Sequence, residues 1–186
     1  NQWSGIYVYD TTVSPDLGDE LTIAAIVNEN YSMTQLIDVV TSTIVSQGNP
    51  TTPISITTGT LGIDCSLSGE SYEGMLVTIS NVIVEGVDEF GNWTVNDGSG
   101  ATLVDDYFFD GDWPSGTAGS TFDSITGVVE YGYSEFKILP RFLADFSGGD
   151  IPDPESVSIY DIQYTTEQGE YCYETPAAGT TVTTSG

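Results

Sequence analysis

Apolar and polar side chains alternate along the middle of the chain with the two-residue period of a β-strand. The clearest run, YEGMLVTISNVIVEG, begins at Tyr72 and is rich in valine, isoleucine and threonine. Alternation of β-branched residues predicts a strand that is buried on one face. A second run, at residues 93–104, is interrupted by NDGSG, whose glycines suit the positive φ angles of a tight connection. The centre of the chain is therefore predicted to hold a long strand followed by a hairpin.

Two more strands and a turn are predicted after an acidic loop. Residues 122–129 (FDSITGVV) and residues 136–139 (FKIL) have strand composition, and YGYS at residues 131–134 predicts the turn between them. Five strands with glycine-rich corners and no long helical period are typical of a five-stranded barrel. We therefore predict such a barrel within residues 72–146.

Three segments of this region resemble a known family. They read CSLSGESYEGMLVTISNV, GNWTVNDGSG and VVEYGYSEFKILPR, and they are similar to the OB-fold repeat modules of large secreted bacterial proteins. The resemblance covers residues 65–146 best. It implies an OB-type barrel, an extracellular or cell-surface location and an accessory role, because such modules often stand beside extracellular nuclease and lamin-tail-like domains.

The N-terminal part of the chain also has strand patterns. Runs of apolar and β-branched residues cover residues 4–10, 21–27 and 33–40, and residues 43–45 either extend the last run or start another strand. Threonine-rich residues 51–60 have prolines nearby, which predicts an extended connector without a helix. We expect very little helix anywhere in the chain.

The two strand-rich regions share a pattern, which indicates an internal repeat. SGIYVYD at residues 4–10 parallels SGATLVD at residues 99–105. The order IV, YS, LI within residues 26–37 parallels the order VV, YS, IL within residues 128–139. The N-terminal part is therefore predicted to be a second module that lacks its two opening strands.

The predicted fold class is all-β, with two OB-like Greek-key barrels or sheets in tandem, the N-terminal one incomplete, and an extended C-terminal β segment. Three domains are predicted: an incomplete OB-like module at residues 1–60, a complete OB-like module at residues 61–147, and a linker with a C-terminal strand segment at residues 148–186.

The C-terminal segment bears on the missing strands. Residues 157–164 (VSIYDIQY) predict one strand, and residues 179–186 (GTTVTTSG) resemble the start of a further module of the same family. An incomplete barrel exposes sheet edges to which a strand can be added. Three alternatives stay open: the segment folds back onto the N-terminal module, it inserts into another copy to build a head-to-tail polymer, or the chain is an arbitrarily cut fragment. The residues assigned to strand exchange are Ser4, Gly5, Ile6, Tyr7, Val8, Val157, Ile159, Thr181, Val182 and Thr183.

Charge narrows the set of partners. The chain has 28 acidic residues against only Lys137 and Arg141, and its formal net charge is −26. Nucleic-acid binding relies on lysine and arginine to neutralise phosphates, so a nucleic-acid partner is disfavoured. Lys137 lies within the last predicted barrel strand and Arg141 just after it, and we expect both to pair with local carboxylates. No apolar run approaches the length of a membrane span.

Residues for catalysis are scarce. The absence of histidine excludes imidazole general bases and histidine-containing zinc sites. A carboxylate pair that cleaves glycosidic bonds is the remaining, distant enzymatic reading. The group of carboxylates that best suits a metal site or catalysis consists of Asp105, Asp106, Asp110 and Asp112. Its carboxylates suit calcium, the one cofactor considered, although the spacing is not that of an EF-hand and a solvated acidic loop is the plainer explanation.

Two kinds of covalent modification are predicted. Cys65 and Cys172 are the only cysteines, and in an extracellular chain they indicate one disulfide, with two unpaired thiols as the alternative. Asn30 and Asn92 begin sequons for N-glycosylation.

The sequence therefore predicts a non-catalytic extracellular structural protein, a subunit or repeat of a surface or extracellular fibre, whose partners are further copies of itself joined head to tail. The alternative is an accessory module of a secreted hydrolase or nuclease that binds polysaccharide or nucleic acid. Four tyrosines would stack on sugars or bases in that case, and half-buried sheet pairs are the structural alternative for them: Tyr7, Tyr9, Tyr131 and Tyr133.

Overall fold

The computed structural model describes residues 2–109, 112–149, 155–156 and 182–183. Strands dominate, which confirms the all-β class. The chain divides into two compact units, residues 1–151 and residues 152–186. The first unit contains a closed five-stranded barrel and a three-stranded sheet.

The strands and helices of the first unit follow in this order along the chain. The three-stranded sheet, called the first sheet below, consists of β1 (Tyr7–Tyr9), β2 (Glu20–Asn30) and β3 (Met33–Ser46). Short elements come next: β4 (Ile54–Ser55), α1 (Thr58–Leu61) and α2 (Leu67–Glu70). The barrel consists of β5 (Leu76–Val87), β6 (Trp93–Asn96), β7 (Ala101–Val104), β8 (Thr121–Gly132) and β9 (Glu135–Leu139). A 3₁₀ turn (Leu143–Asp145) and β10 (Phe146–Ser147) follow.

The described backbone of the second unit forms two short strands. β11 (Glu155–Ser156) and β12 (Val182–Thr183) pair in parallel. The strand predicted at residues 157–164 lies outside the described residues.

The barrel closes because β5 pairs with two different strands. Around the barrel the order is β5, β6, β7, β9, β8 and back to β5. All neighbours are antiparallel except β7 and β9, which run parallel with Leu103 opposite Lys137. The predicted five-stranded barrel is therefore present, and closure leaves it without a free edge.

The barrel core accounts for the alternating pattern of β5. Val77, Ile79, Val82 and Val84 are fully buried, whereas the residues between them are partly or fully exposed. Aromatic side chains from β6, β8, β10 and the loop after β7 fill one part of the core: Trp93, Phe122, Phe146, Phe109 and Trp113. The loop after β7 thus contributes to the core as well as to the acidic surface.

The prediction of a helix-free connector at residues 51–60 is wrong at its C-terminal end. The helix α1 begins at Thr58, and the Thr57 side chain caps it by accepting a hydrogen bond from the N–H of Thr60. Proline breaks a helix from within, but both prolines here lie upstream of the cap. The expectation of little helix is met by the described residues, since α1 and α2 have four residues each.

The first sheet has the order β1, β3, β2, with β1 parallel to β3 and β2 antiparallel to β3. The barrel contains the same arrangement in β7, β9 and β8. The hairpin registers also agree: Val27 faces Leu36 as Val129 faces Ile138. The internal repeat seen in the sequence therefore corresponds to a repeated three-stranded substructure.

The turns of the two hairpins have the same unusual backbone. Tyr31 and Ser32 have φ angles of 52° and 71°, and Tyr133 and Ser134 have φ angles of 56° and 69°. Two consecutive positive φ angles define the type I′ class of hairpin turn, in which Asn-Gly is the favoured dipeptide. Tyrosine in this left-handed region is under steric strain.

Replacing one turn dipeptide by Asn-Gly should stabilise the fold. For the double variant Tyr133→Asn with Ser134→Gly, we expect the free energy of unfolding to rise by about 1 kcal/mol, because the strained residues are replaced by ones that adopt positive φ readily. Urea denaturation measures the difference from the wild type. A lower free energy of unfolding would show that the tyrosine side chain stabilises the fold in a way its exposure does not suggest.

Candidate functional site

One face of the first sheet is exposed to solvent, although the corresponding face of the barrel strands is buried in the barrel interior. In the barrel, Val129 faces the interior and is 1% exposed. Its counterpart in the first sheet, Val27, is 68% exposed. The same comparison holds on the neighbouring strand, where Ile138 is fully buried and Leu36 is only partly covered. A face that is core in the barrel therefore meets solvent in the first sheet.

The first sheet has almost no core of its own. Within residues 2–50, all of which the structure describes, Gln35 is the only buried side chain. Large apolar side chains are exposed instead: Trp3, Ile6, Tyr9, Leu17, Ile26, Val27, Tyr31, Val40, Ile44 and Val45. Six of them belong to strands β1, β2 and β3, and exposed apolar residues gathered on one sheet are typical of interaction sites.

Within the described residues, both edges of the first sheet also lack a partner strand. In the barrel, β8 pairs with β5 on the edge away from β9, and β7 pairs with β6 on the edge away from β9. In the described chain no strand takes the corresponding place beside β2 or β1. Unpaired edges present rows of N–H and C=O groups to an incoming strand. Within the described residues, β2 and β1 therefore lack the neighbours that β5 and β6 provide for β8 and β7 in the barrel.

The first sheet contacts the barrel through a close backbone approach. A Cβ atom at Gly5 would collide with the carbonyl oxygen of Glu73, and a Cβ atom at Gly74 would lie 2.7 Å from the nitrogen of Ile6. Nearby, the N–H of Thr34 donates to Glu73 Oε1 at 2.9 Å. These glycines allow the start of the chain to lie directly against the residues that precede β5.

Glu73 is the most perturbed carboxyl group at this junction. Its Oε2 atom is buried without a hydrogen-bond partner in the described part of the chain. Burial is the main cause that raises the pKa of Glu73 to about 7, and the hydrogen bond from Thr34 opposes that rise. Neighbouring carboxylates raise the pKa further: Glu70, Glu29 and Glu130. Glu73 therefore takes up a proton near neutral pH, where ordinary glutamates remain charged.

The Glu73→Gln variant should abolish one pH-dependent contribution to stability. Because the pKa of Glu73 is higher in the folded state, this group's contribution to stability is fully present below about pH 4.5 and is lost as the pH rises to about 7. We expect the stability of Glu73→Gln relative to the wild type to increase across that interval. Denaturation at several pH values measures it, with exposed Glu89→Gln as the control, and a pH-independent difference between Glu73→Gln and the wild type would contradict the assignment.

The residues assigned to strand exchange fall into three groups. Gly5 and Ile6, with Ser4 before them, lie at the junction with the barrel, and Tyr7 and Val8 belong to β1. Val182 and Thr183 form β12. Three others lie outside the described residues: Val157, Ile159 and Thr181. The open surface itself lies mainly on β2 and β3, whose apolar residues the sequence assigned only to strands.

One carboxylate of the acidic loop after β7, that of Asp105, forms an ion pair within the protein. Lys137 Nζ lies 2.9 Å from Asp105 Oδ2, and the other Asp105 oxygen accepts a hydrogen bond from the N–H of Tyr107. Asp110 lies outside the described residues. Asp106 and Asp112 are described, but nowhere in the described chain do three or more acidic, cysteine or histidine side chains cluster as metal ligands do. Calcium binding by this loop stays a prediction.

Both basic side chains are paired, as expected from the sequence. Arg141 makes a bidentate contact with buried Asp145, from Nε to Oδ2 at 2.9 Å and from Nη2 to Oδ1 at 2.8 Å. Lys137 is held by Asp105. Since these are the only lysine and arginine in the chain, neither remains as an unpaired cation for a phosphate backbone.

The predicted modification sites have different surroundings. Asn92 is 5% exposed, and its Nδ2 atom, to which a glycan would be attached, donates to Asp88 Oδ2 at 2.7 Å. A glycan at Asn92 is therefore incompatible with this packing, whereas Asn30 is exposed at the end of β2. Cys65 is exposed, and Cys172 lies outside the described residues, so the disulfide stays a prediction.

Comparisons with known proteins add no assignment. No family model matches the chain, and neither the curated proteins nor the solved structures include a match to it. Among the described residues, no helix has both the length and the apolar character needed to cross a membrane.

Proposed function

We propose that the protein is a non-catalytic, extracellular structural subunit whose copies join head to tail by β-strand complementation of the first sheet. The observation that carries the proposal is the exposure of Val27 at a position whose counterpart is core in the barrel. Adding strands to the open edges would bury this face and satisfy the unpaired backbone groups at the same time.

The strand order gives the proposal its geometry. Numbered within the barrel, β5 to β9 have the order 1-2-3-5-4 with strands 3 and 5 parallel, which is the connectivity of an OB-fold. In the proposed assembly the first sheet takes the part of strands 3, 4 and 5 of a second such barrel, which the matching pairings of β1, β3 and β2 support. Donated strands would then take the places that β5 and β6 hold in the barrel. A donor strand would therefore lie antiparallel to β2, as β5 lies antiparallel to β8.

The C-terminal segment of a second copy has the right composition for the donor, and the two-residue pairing of its β12 with β11 has to open before it can be donated. Residues 175–186 (TPAAGTTVTTSG) contain no charged side chain, although the whole chain carries a net charge of −26. An uncharged donor limits the electrostatic repulsion between two acidic chains at the point of contact. Threonine and valine are also favoured in strands. A donor at one end and an acceptor at the other give a contact that does not close, which produces filaments.

A synthetic peptide of residues 175–186 should compete with assembly. Added in excess to the full chain, the peptide is expected to occupy the first sheet and shorten the polymers, because it satisfies the acceptor without providing a new one. Sedimentation velocity measures the polymer length, and a peptide with the same residues in scrambled order is the control. Equal effects of the two peptides, or no effect of either, would contradict the proposed donor.

A further inference from the structure

The two hairpin turns with positive φ angles border one cleft. The β2–β3 turn lies on one side, and the β8–β9 turn and the start of the loop after β7 lie on the other. The cleft has a volume of about 860 Å³, within the range of pockets that hold small molecules. Its principal side chains are Tyr31, Tyr133, Tyr107, Glu130, Asp105 and Lys137.

The tyrosines at the turns are not explained by the fold. Tyr31 is 91% exposed and Tyr133 is 95% exposed, so neither ring contributes to a core. Each occupies a backbone conformation that favours asparagine or glycine. Residues kept in sparsely populated conformations tend to occur at functional sites. Both repeats thus present a tyrosine ring to the same cleft at a cost in stability.

The floor of the cleft is polar and anionic. Lys137 Nζ is held by Asp105 at 2.9 Å and lies 5.8 Å from the centre of the Tyr133 ring. Glu130 lies beside this pair, and its pKa is raised by burial and by Asp105 and lowered by Lys137. Since Asp105 already neutralises Lys137, Glu130 leaves the floor with a surplus of hydrogen-bond acceptors.

We propose that this cleft binds a neutral oligosaccharide. A pyranose ring has one face of C–H groups that packs on an aromatic ring, and its hydroxyl groups donate to carboxylates at the edge of that ring. The two turn tyrosines supply the rings, and Glu130 with Asp105 supplies the acceptors. An acidic glycan or a nucleic acid would be repelled by the same carboxylates and by the net charge of −26. The proposal is independent of polymer assembly.

Calorimetric titration of the full chain with hexasaccharides tests the proposal. The probes are uncharged hexamers of glucose, mannose, xylose and N-acetylglucosamine, with a hexamer of galacturonic acid as the charged comparison. We expect at least one uncharged hexamer to bind with a dissociation constant in the millimolar range or tighter, and the galacturonic acid hexamer not to bind. Absence of binding by every uncharged hexamer, or preference for the charged one, would overturn the proposal.

Two turn variants locate the binding site. Tyr31→Asn with Ser32→Gly, and Tyr133→Asn with Ser134→Gly, replace each tyrosine by the dipeptide that the turn favours, so a folding defect is not expected. Each variant should weaken binding by about tenfold or more, as expected for the loss of a stacked ring. Phe90→Ala, which removes an exposed aromatic side chain outside the cleft, should bind like the wild type. Unchanged binding by both turn variants would show that any bound sugar lies elsewhere.

Discussion

The Val27→Lys variant is expected to remain a folded monomer under conditions in which the wild type forms polymers. In the open sheet Val27 is 68% exposed, so a lysine ammonium at this position stays hydrated and folding is little affected. In the proposed assembly a donor strand completes the barrel, and position 27 would become the counterpart of Val129 in the core. An unpaired charge would then be buried, at a cost of several kcal/mol, and association should weaken by about a hundredfold or more.

Sedimentation velocity over a range of concentrations measures this effect, and Ile83→Lys is its matched control. Ile83 is an apolar strand residue that is 50% exposed on the outside of the complete barrel. The Ile83→Lys variant carries the same added charge and should polymerise like the wild type. If Val27→Lys assembles as well as Ile83→Lys, the face that carries Val27 is not the assembly surface.

The Trp93→Ala variant should lower the stability of the fold more than any other substitution described above. Trp93 is 2% exposed and lies at the centre of the aromatic cluster, with ring centres at 4.9 Å from Trp113, 5.3 Å from Phe122 and 5.9 Å from Phe146. Its removal leaves a cavity among rings that the barrel strands hold in place. We expect the free energy of unfolding to fall by about 3 to 5 kcal/mol.

Chemical denaturation of the full chain measures the loss, with Phe90→Ala as the control. Phe90 is 81% exposed in the loop between β5 and β6, and its removal should change the stability by no more than about 0.5 kcal/mol. Trp93→Phe retains an aromatic ring and should lose less stability than Trp93→Ala. Equal and small effects at positions 93 and 90 would contradict the packing of the cluster.

Strand positions were predictable because one face of each barrel strand is buried. In β5 the alternation of buried and outward-facing residues is visible directly in the sequence. The repeat was also predictable, since the Tyr-Ser dipeptide marks the turn of both hairpins. The sequence could not show how β7 and β9 come together, because their parallel pairing joins residues that are distant along the chain.

The less predictable features depend on tertiary packing. The short helix α1 begins after Pro50 and Pro53, so these prolines do not prevent it from forming. Trp113 lies in a loop whose many acidic residues predict exposure to solvent. Its ring nevertheless packs on Trp93. Glu73 is one of many acidic residues, and only the backbone approach of Gly5 shows why its Oε2 atom is buried. The cleft between the two turns depends on the relative placement of two hairpins, which no local pattern encodes.

Electron microscopy of the purified full chain, at concentrations above and below the onset of association, tests the central claim most directly. Head-to-tail strand complementation predicts unbranched filaments of uniform width that lengthen with concentration, because each added copy supplies both a donor and an open first sheet. Single compact particles at every concentration would contradict the claim.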